Sequence, residues 1–180
     1  MKRKSACVFL LLAVALLGQC KKKDPHPESR LPPATQSGAN TFGCLVNGEA
    51  WTPQGYNGAP NFNVSYDRSA TGGVLDVRAY RIYGQGATDF QYIILFASQI
   101  NGAGSYSFRS PQYTRASFDD AKSNCYWSTR DSTVTYRRGT LTITRLDLTA
   151  GVISGTFDFT LYKPGCDSIK VTKGRFDKKL

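Results

Sequence analysis

From Thr41 onward, turn signals interrupt the chain about every ten residues, and this spacing restricts the fold more than any other feature. The breaks are Asn47-Gly48, Gly72-Gly73, Gly84-Gln85-Gly86, Asn101-Gly102-Ala103-Gly104, Arg138-Gly139, Ala150-Gly151, Pro164-Gly165 and Lys173-Gly174. Segments this short suit strands, and no stretch carries a helical period. The expected fold is all-β: a single antiparallel β-sandwich or partly closed barrel of about 8–11 short strands over residues 41–180, with negligible helix. Ala116 to Lys122 is the one place where a single helical turn is expected.

The pattern inside the segments adds detail. In Ile153–Leu161, Ile153, Gly155, Phe157, Phe159 and Leu161 share one face and Ser154, Thr156, Asp158 and Thr160 the other, which predicts one buried and one wet side. Phe90–Ile100 is apolar on both faces and predicts a central strand covered on both sides. Asn47-Gly48, between two apolar runs, predicts a tight hairpin because both residues tolerate positive φ. After Val171 the apolar phase slips by one, and a bulge at Lys173-Gly174 would return Phe176 to the core.

Ahead of this domain stand two different segments. Lys2, Arg3 and Lys4 precede an apolar run from Cys7 to Leu17, followed by Leu17-Gly18-Gln19-Cys20. The run is shorter than the roughly 20 residues a spanning helix needs. A basic start, a short apolar stretch and a cysteine at its end read as an export signal over residues 1–19 with lipid attachment at Cys20, although Gln19 stands where such signals usually carry a small residue. More than one acyl chain is needed for stable anchoring, which a fully acylated Cys20 supplies. The competing readings are a soluble secreted protein cut nearby and an uncleaved anchor. Residues 20–40 contain Pro25, Pro27, Pro32 and Pro33 among polar residues and read as a flexible tether, about 70 Å long when extended and about 25 Å as a coil. Lys21, Lys22 and Lys23 either touch anionic headgroups, at about 1 kcal/mol each, or form its solvated start.

Charge argues against nucleic acid as a partner. Residues 41–180 carry 16 Lys or Arg against 11 Asp or Glu, a net +5 with the two signs interleaved, where a nucleic-acid binder gathers its cations on one face. Catalytic machinery is hard to find. The only histidine, His26, lies in the tether. That removes Ser-His-Asp and Cys-His nucleophiles and ordinary zinc sites from the domain. No phosphate or dinucleotide loop occurs either. No catalytic residue, metal site or cofactor is therefore expected. Asp119, Asp120 and Asp131 are the calcium candidates, but adjacent Asp side chains point apart in a strand and the spaced acidic loop is missing, so a solvated acidic loop is the plainer reading. Trp51, Trp127 and Tyr126 are the candidate binding aromatics, with cross-strand packing as the plainer role. Asp131-Ser132-Thr133 and Asp167-Ser168-Ile169 have the form of a short O-glycosylation acceptor pattern and read equally well as turn and strand residues.

Three cysteines remain in the domain. The expected disulfide is Cys125–Cys166, with Cys44 a buried free thiol beside Leu45 and Val46. The pairing rests on a meander in which Arg130-Asp131-Ser132 turns one hairpin and Ala150-Gly151 the next, bringing both cysteines to one rim. A flat sheet would hold them too far apart, so the sheet must curl or the Cys125 segment must cross the rim. Such a bond adds about 4 kcal/mol in the chain-entropy account. Cys44–Cys166 is the rival pairing.

Residues 31–53, LPPATQSGANTFGCLVNGEAWTP, resemble the opening of an uncharacterised group of Bacteroidota lipoproteins, and residues 154–177, SGTFDFTLYKPGCDSIKVTKGRFD, resemble its ending. The resemblance implies an outer-membrane lipoprotein, periplasmic or surface-exposed, and implies no known activity. The functional expectation is a lipid-anchored, non-enzymatic binding or structural β-module with a glycan, peptide or protein partner. The alternatives are a carboxylate-only hydrolase acting on carbohydrate and a lipocalin-like carrier of a small ligand.

Overall fold

The computed structural model describes residues 26–70, 72–86 and 89–180. The export signal, Cys20 and the Lys21–Lys23 triplet lie outside the described residues. A 3-10 turn at Pro27–Arg30 precedes eleven strands: β1 (Thr41–Val46), β2 (Glu49–Trp51), β3 (Phe62–Asp67), β4 (Val74–Ile82), β5 (Phe90–Ser98), β6 (Gly104–Ser107), β7 (Thr114–Asp120), β8 (Cys125–Ser128), β9 (Tyr136–Asp147), β10 (Val152–Lys163) and β11 (Asp167–Lys179). One antiparallel sheet runs β2-β1-β11-β10-β9-β6 and the other β3-β4-β5-β7-β8. They pack face to face as a sandwich with open edges, and the barrel alternative falls away. Ala116–Lys122 forms no helical turn, since residues 116–120 belong to β7.

Alternating side chains from the two sheets meet in the core. Phe42 contacts Phe157 at 5.2 Å and Phe62 of the opposite sheet at 5.4 Å, and Phe108 meets Phe159 edge-on at 6.2 Å. Phe157, Phe159 and Leu161 are buried, as their period predicts. Asn47 and Gly48 adopt φ of 50° and 85° in a two-residue turn joining β1 and β2. The β10–β11 register shifts opposite Thr172 and Lys173, and this bulge leaves Phe176 buried. β9, β10 and β11 are longer than expected, at 12, 12 and 13 residues. Two of the turn signals, Arg138-Gly139 and Lys173-Gly174, lie inside β9 and β11 rather than at chain reversals, the first in regular register with a positive φ at Gly139 and the second beside the β11 bulge.

Three further expectations change. β5 is the central strand of its sheet, but only one face is covered: Ile93, Leu95 and Ala97 are fully buried, while Tyr92, Ile94 and Phe96 stay half-buried on the outer face. Neighbours shield that face instead. The Arg130 and Arg115 guanidinium groups lie 5.2 and 5.9 Å from the Phe96 ring centre, and Tyr92 stacks on Tyr80. Residues 129–135 make no hairpin. They cross from β8 in one sheet to β9 in the other. Cys125 and Cys166 do pair, with Cα atoms 5.7 Å apart, so the bond joins the two sheets at one end of the sandwich. Crossing the rim, the second of the two ways of bringing them together, is the one realised. Cys44 is free and buried, and burial pushes its thiol pKa up.

The third change concerns the tether, of which residues 31–40 are docked on the outer face of the six-stranded sheet. Leu31 is buried, and a Cβ on Gly43 would stand 2.7 Å from Pro32 Cδ, so only glycine allows this approach. Asp177 anchors the segment: its carboxylate accepts the Ser37, Gly38 and Ala39 N–H groups at 3.0, 2.8 and 3.0 Å and the Thr35 hydroxyl at 2.7 Å. Ser154, expected on a wet face, is fully buried beneath this segment and donates to the same carboxylate at 2.7 Å. Both motifs quoted for the lipoprotein resemblance therefore meet in one structural clamp.

Candidate functional site

Across the five-stranded sheet, inward positions carry Leu75, Val77 and Ala79 on β4, Ile93, Leu95 and Ala97 on β5, and Ala116 and Phe118 on β7. The alternation continues to the end of the sheet, but the residues change. The last inward row is Arg81–Gln91–Asp120–Cys125, each paired in register with the next. Period two dictates that these side chains face the opposing sheet. There they meet Trp51 of β2, Val46, Asn47 and Glu49 of the first hairpin, and Cys166–Ile169 at the start of β11. Between them opens a cleft of about 430 Å³, lined also by Phe118, Ser123 and Trp127.

The polar groups are tied to one another. Gln91 Oε1 accepts from Trp51 Nε1 at 2.9 Å and from Arg81 Nη2 at 2.9 Å. The Arg81 guanidinium lies 5.6 Å from the Trp51 ring centre and 5.9 Å from that of Tyr83. Its Nη1 makes a long contact to the Ala50 carbonyl at 3.4 Å, and its Nε is buried with no partner. Among the described residues no carboxylate forms an ion pair with Arg81. Burial lowers its pKa from the ordinary value, opposed in part by Cys44, Tyr83 and Asp120. Trp127 Nε1 donates to the Asp167 carbonyl at 3.0 Å, which ties β8 to the opposite sheet beside the disulfide.

The three candidate aromatics do not form one surface. Trp51 and Trp127 share the cleft but are 0 % and 5 % exposed, so they present ring edges and no stacking platform. Tyr126 is 41 % exposed on the opposite face of its sheet, across from Asp119. The three candidate calcium ligands are likewise separated. Asp119 faces outward, Asp120 faces the cleft, and Asp131 binds Lys163 at 3.1 Å and caps Thr133. Ser132 and Ser168 of the two short acceptor patterns are both exposed. Arg81 and Gln91 were not singled out by sequence reasoning. Their signal is a charged or amide residue at the inward phase of a strand, readable only once that phase is known.

Residues 74–178 match a protein family described as Domain of unknown function (DUF6252). No curated protein matches, and no solved structure does. The matched span holds Arg81, Gln91, Asp120, Trp127 and both bridged cysteines. It begins after β1–β3, so Trp51 and Glu49 lie ahead of it.

Proposed function

We propose that this chain, which belongs to the DUF6252 family, is a lipid-anchored module of the cell envelope that binds a ligand in the cleft beside its disulfide. The observation that carries the binding role is the inward row Arg81–Gln91–Asp120. Inward positions of a folded core rarely carry charge, because burying a charge without an ion-pair partner is costly, and among the described residues neither Arg81 nor Asp120 has one. A cleft with convergent polar groups over apolar walls is the ordinary form of a ligand site. Support for the anchor comes from Lys2–Lys4, the short apolar run and Cys20, and the resemblance of residues 31–53 and 154–177 points to the outer membrane of Bacteroidota.

The hydrolase alternative would have to use Glu49, Asp120 and Asp167, the carboxylates of this same cleft, because the carboxyls with raised pKa lie elsewhere. Asp119 and Asp158 are the carboxyls whose pKa burial raises, and they stand on the outer faces of different sheets. They cannot flank one bond. The carrier alternative required a closed barrel.

Both halves of the proposal are testable. Mass spectrometry of the mature N-terminus should find acylated Cys20, and Cys20→Ala should move the domain to the soluble fraction; an unmodified Cys20 rejects the anchor. The chain has two tryptophans, and both line the cleft. Their intrinsic fluorescence therefore reports occupancy directly. Soluble peptide and glycan fractions of an envelope digest should include one that changes this fluorescence saturably, and silence from every fraction rejects the binding role.

A further inference from the structure

We infer that the cleft takes a short peptide with free ends, its carboxylate on Arg81 and its ammonium on Asp120 and Glu49. The inference rests on the binding role proposed above and assigns the ligand its class.

The charges at the cleft suit neither a simple anion nor a simple cation. Among the described residues Arg81 is the only cation in the lining, against Glu49, Asp120 and Asp167. Among the described residues these four groups form no ion pairs, with one another or with anything else. A plain anion would pair with Arg81 but meet three carboxylates. A plain cation would satisfy the carboxylates and leave the guanidinium without a counter-charge. A zwitterion meets both needs, and a planar guanidinium is the group best suited to a carboxylate. Gln91 Oε1 and the Trp51 ring already hold Arg81 in place, so little ordering is left for the ligand to impose.

Spacing sets the ligand's length. Arg81 and Asp120 sit on strands two apart in one row, with Gln91 between them. Two strand spacings put their Cα atoms roughly 10 Å apart. An extended chain covers about 3.3–3.6 Å per residue, so two or three residues match the spacing of the strands that carry the two charges. Phe118, Ile169, Val46 and the indole edges offer apolar walls for a side chain between the two ends.

The probe is the tripeptide Ala-Leu-Ala, titrated against the disulfide-intact protein with tryptophan fluorescence as readout. It should bind saturably, while N-acetyl-Ala-Leu-Ala, Ala-Leu-Ala amide and free leucine should each bind at least about tenfold more weakly, the loss expected when one charge goes unpaired. Asp120→Asn should abolish the preference for the free over the acetylated N-terminus, and Arg81→Gln the preference for the carboxylate over the amide. The capped peptides are measured on the unaltered protein, so the test stands even if a variant fails to fold. Equal binding of free and capped peptides overturns the zwitterion assignment. A silent tripeptide beside a responding glycan fraction overturns the ligand class and leaves the cleft's binding role intact, whereas silence from every probe removes both.

Discussion

Two carboxylates one strand apart show how position decides what a side chain contributes. Asp158 lies between Phe157 and Phe159 on β10 and points to solvent, while its two neighbours point into the core. Phe159→Ala should cost about 3–5 kcal/mol in chemical denaturation, since it empties a fully enclosed site, and Asp158→Ala under about 1 kcal/mol. Similar losses from both would contradict the facing. Asp177 is the opposite case. Burial works to raise its pKa, but the N–H of Ala39, the hydroxyls of Thr35 and Ser154 and the N–H of Gly38 outweigh it, and the carboxyl ends well below the ordinary range. A depressed folded-state pKa means stability that is present above the unfolded value near 4 and is lost as pH falls through the folded one. Asp177→Asn should cost about 2–4 kcal/mol at neutral pH, because several donors lose a charged acceptor. It should also flatten the loss of stability between about pH 5 and pH 2. Asp131, held to about 2 by the Thr133 hydroxyl and N–H and by Lys163, contributes in the same range, so the comparison is of slopes between variant and parent. Parallel slopes would assign Asp177 no part in the acid response.

Legibility at the scale of elements followed how strictly a strand alternates. Ile153–Leu161 has one apolar phase, and its buried face could be read directly. Phe90–Ser98 is apolar on both phases, so sequence alone could not tell which side meets the core, and Gln91 stayed unread as an inward residue. Arg81 in β4 escaped for a different reason: Leu75, Val77 and Ala79 alternate with Asp76 and Arg78 and mark the inner face, but only once a strand is placed there. Ser154 was misread for another reason: its cover comes from a segment more than a hundred residues away in sequence. The disulfide was read correctly as a pair and incompletely as a path, because nothing local separates a hairpin at Arg130–Ser132 from a crossing between sheets. That crossing gives the bond its mechanical meaning. It links the start of β8 to the β10–β11 turn at the mouth of the cleft. Replacing both Cys125 and Cys166 by Ser should lower stability by about 4 kcal/mol, close to the loop-entropy value. The change should also shift the emission of Trp127, whose indole hydrogen bond to Asp167 spans the same two elements. An unchanged melting curve would mean that the sheets hold this end together unaided.

The whole molecule is larger than the run of strands, since the residues ahead of β1 complete it. Leu31, Pro32 and Thr35–Ala39 cover the outer face of the six-stranded sheet, and Glu28 reaches Lys173 and Arg175 at 3.5 and 3.6 Å. This bears on the proposed anchor. The chain between Cys20 and His26 spans at most about 20 Å when extended, far less than the 70 Å of a free twenty-residue tether, so an acylated Cys20 would hold the domain close to the lipid surface. It also makes a stability prediction. A chain starting at Thr41 keeps every strand but loses the apolar contact of Leu31 and five hydrogen bonds to Asp177. Its strands should still form, by circular dichroism, while its unfolding free energy falls by about 3–5 kcal/mol, combining one buried aliphatic side chain with the loss of charged hydrogen bonds. Its acid response should flatten partway toward that of Asp177→Asn, because the carboxylate is re-exposed to water and keeps only the Ser154 hydroxyl of its donors, so its pKa rises toward the ordinary range. A chain starting at His26 retains the clamp and should match the full-length protein in both measurements. If the chain from Thr41 unfolds at the same denaturant concentration as the chain from His26, the docked segment is a passenger and the domain begins at its first strand.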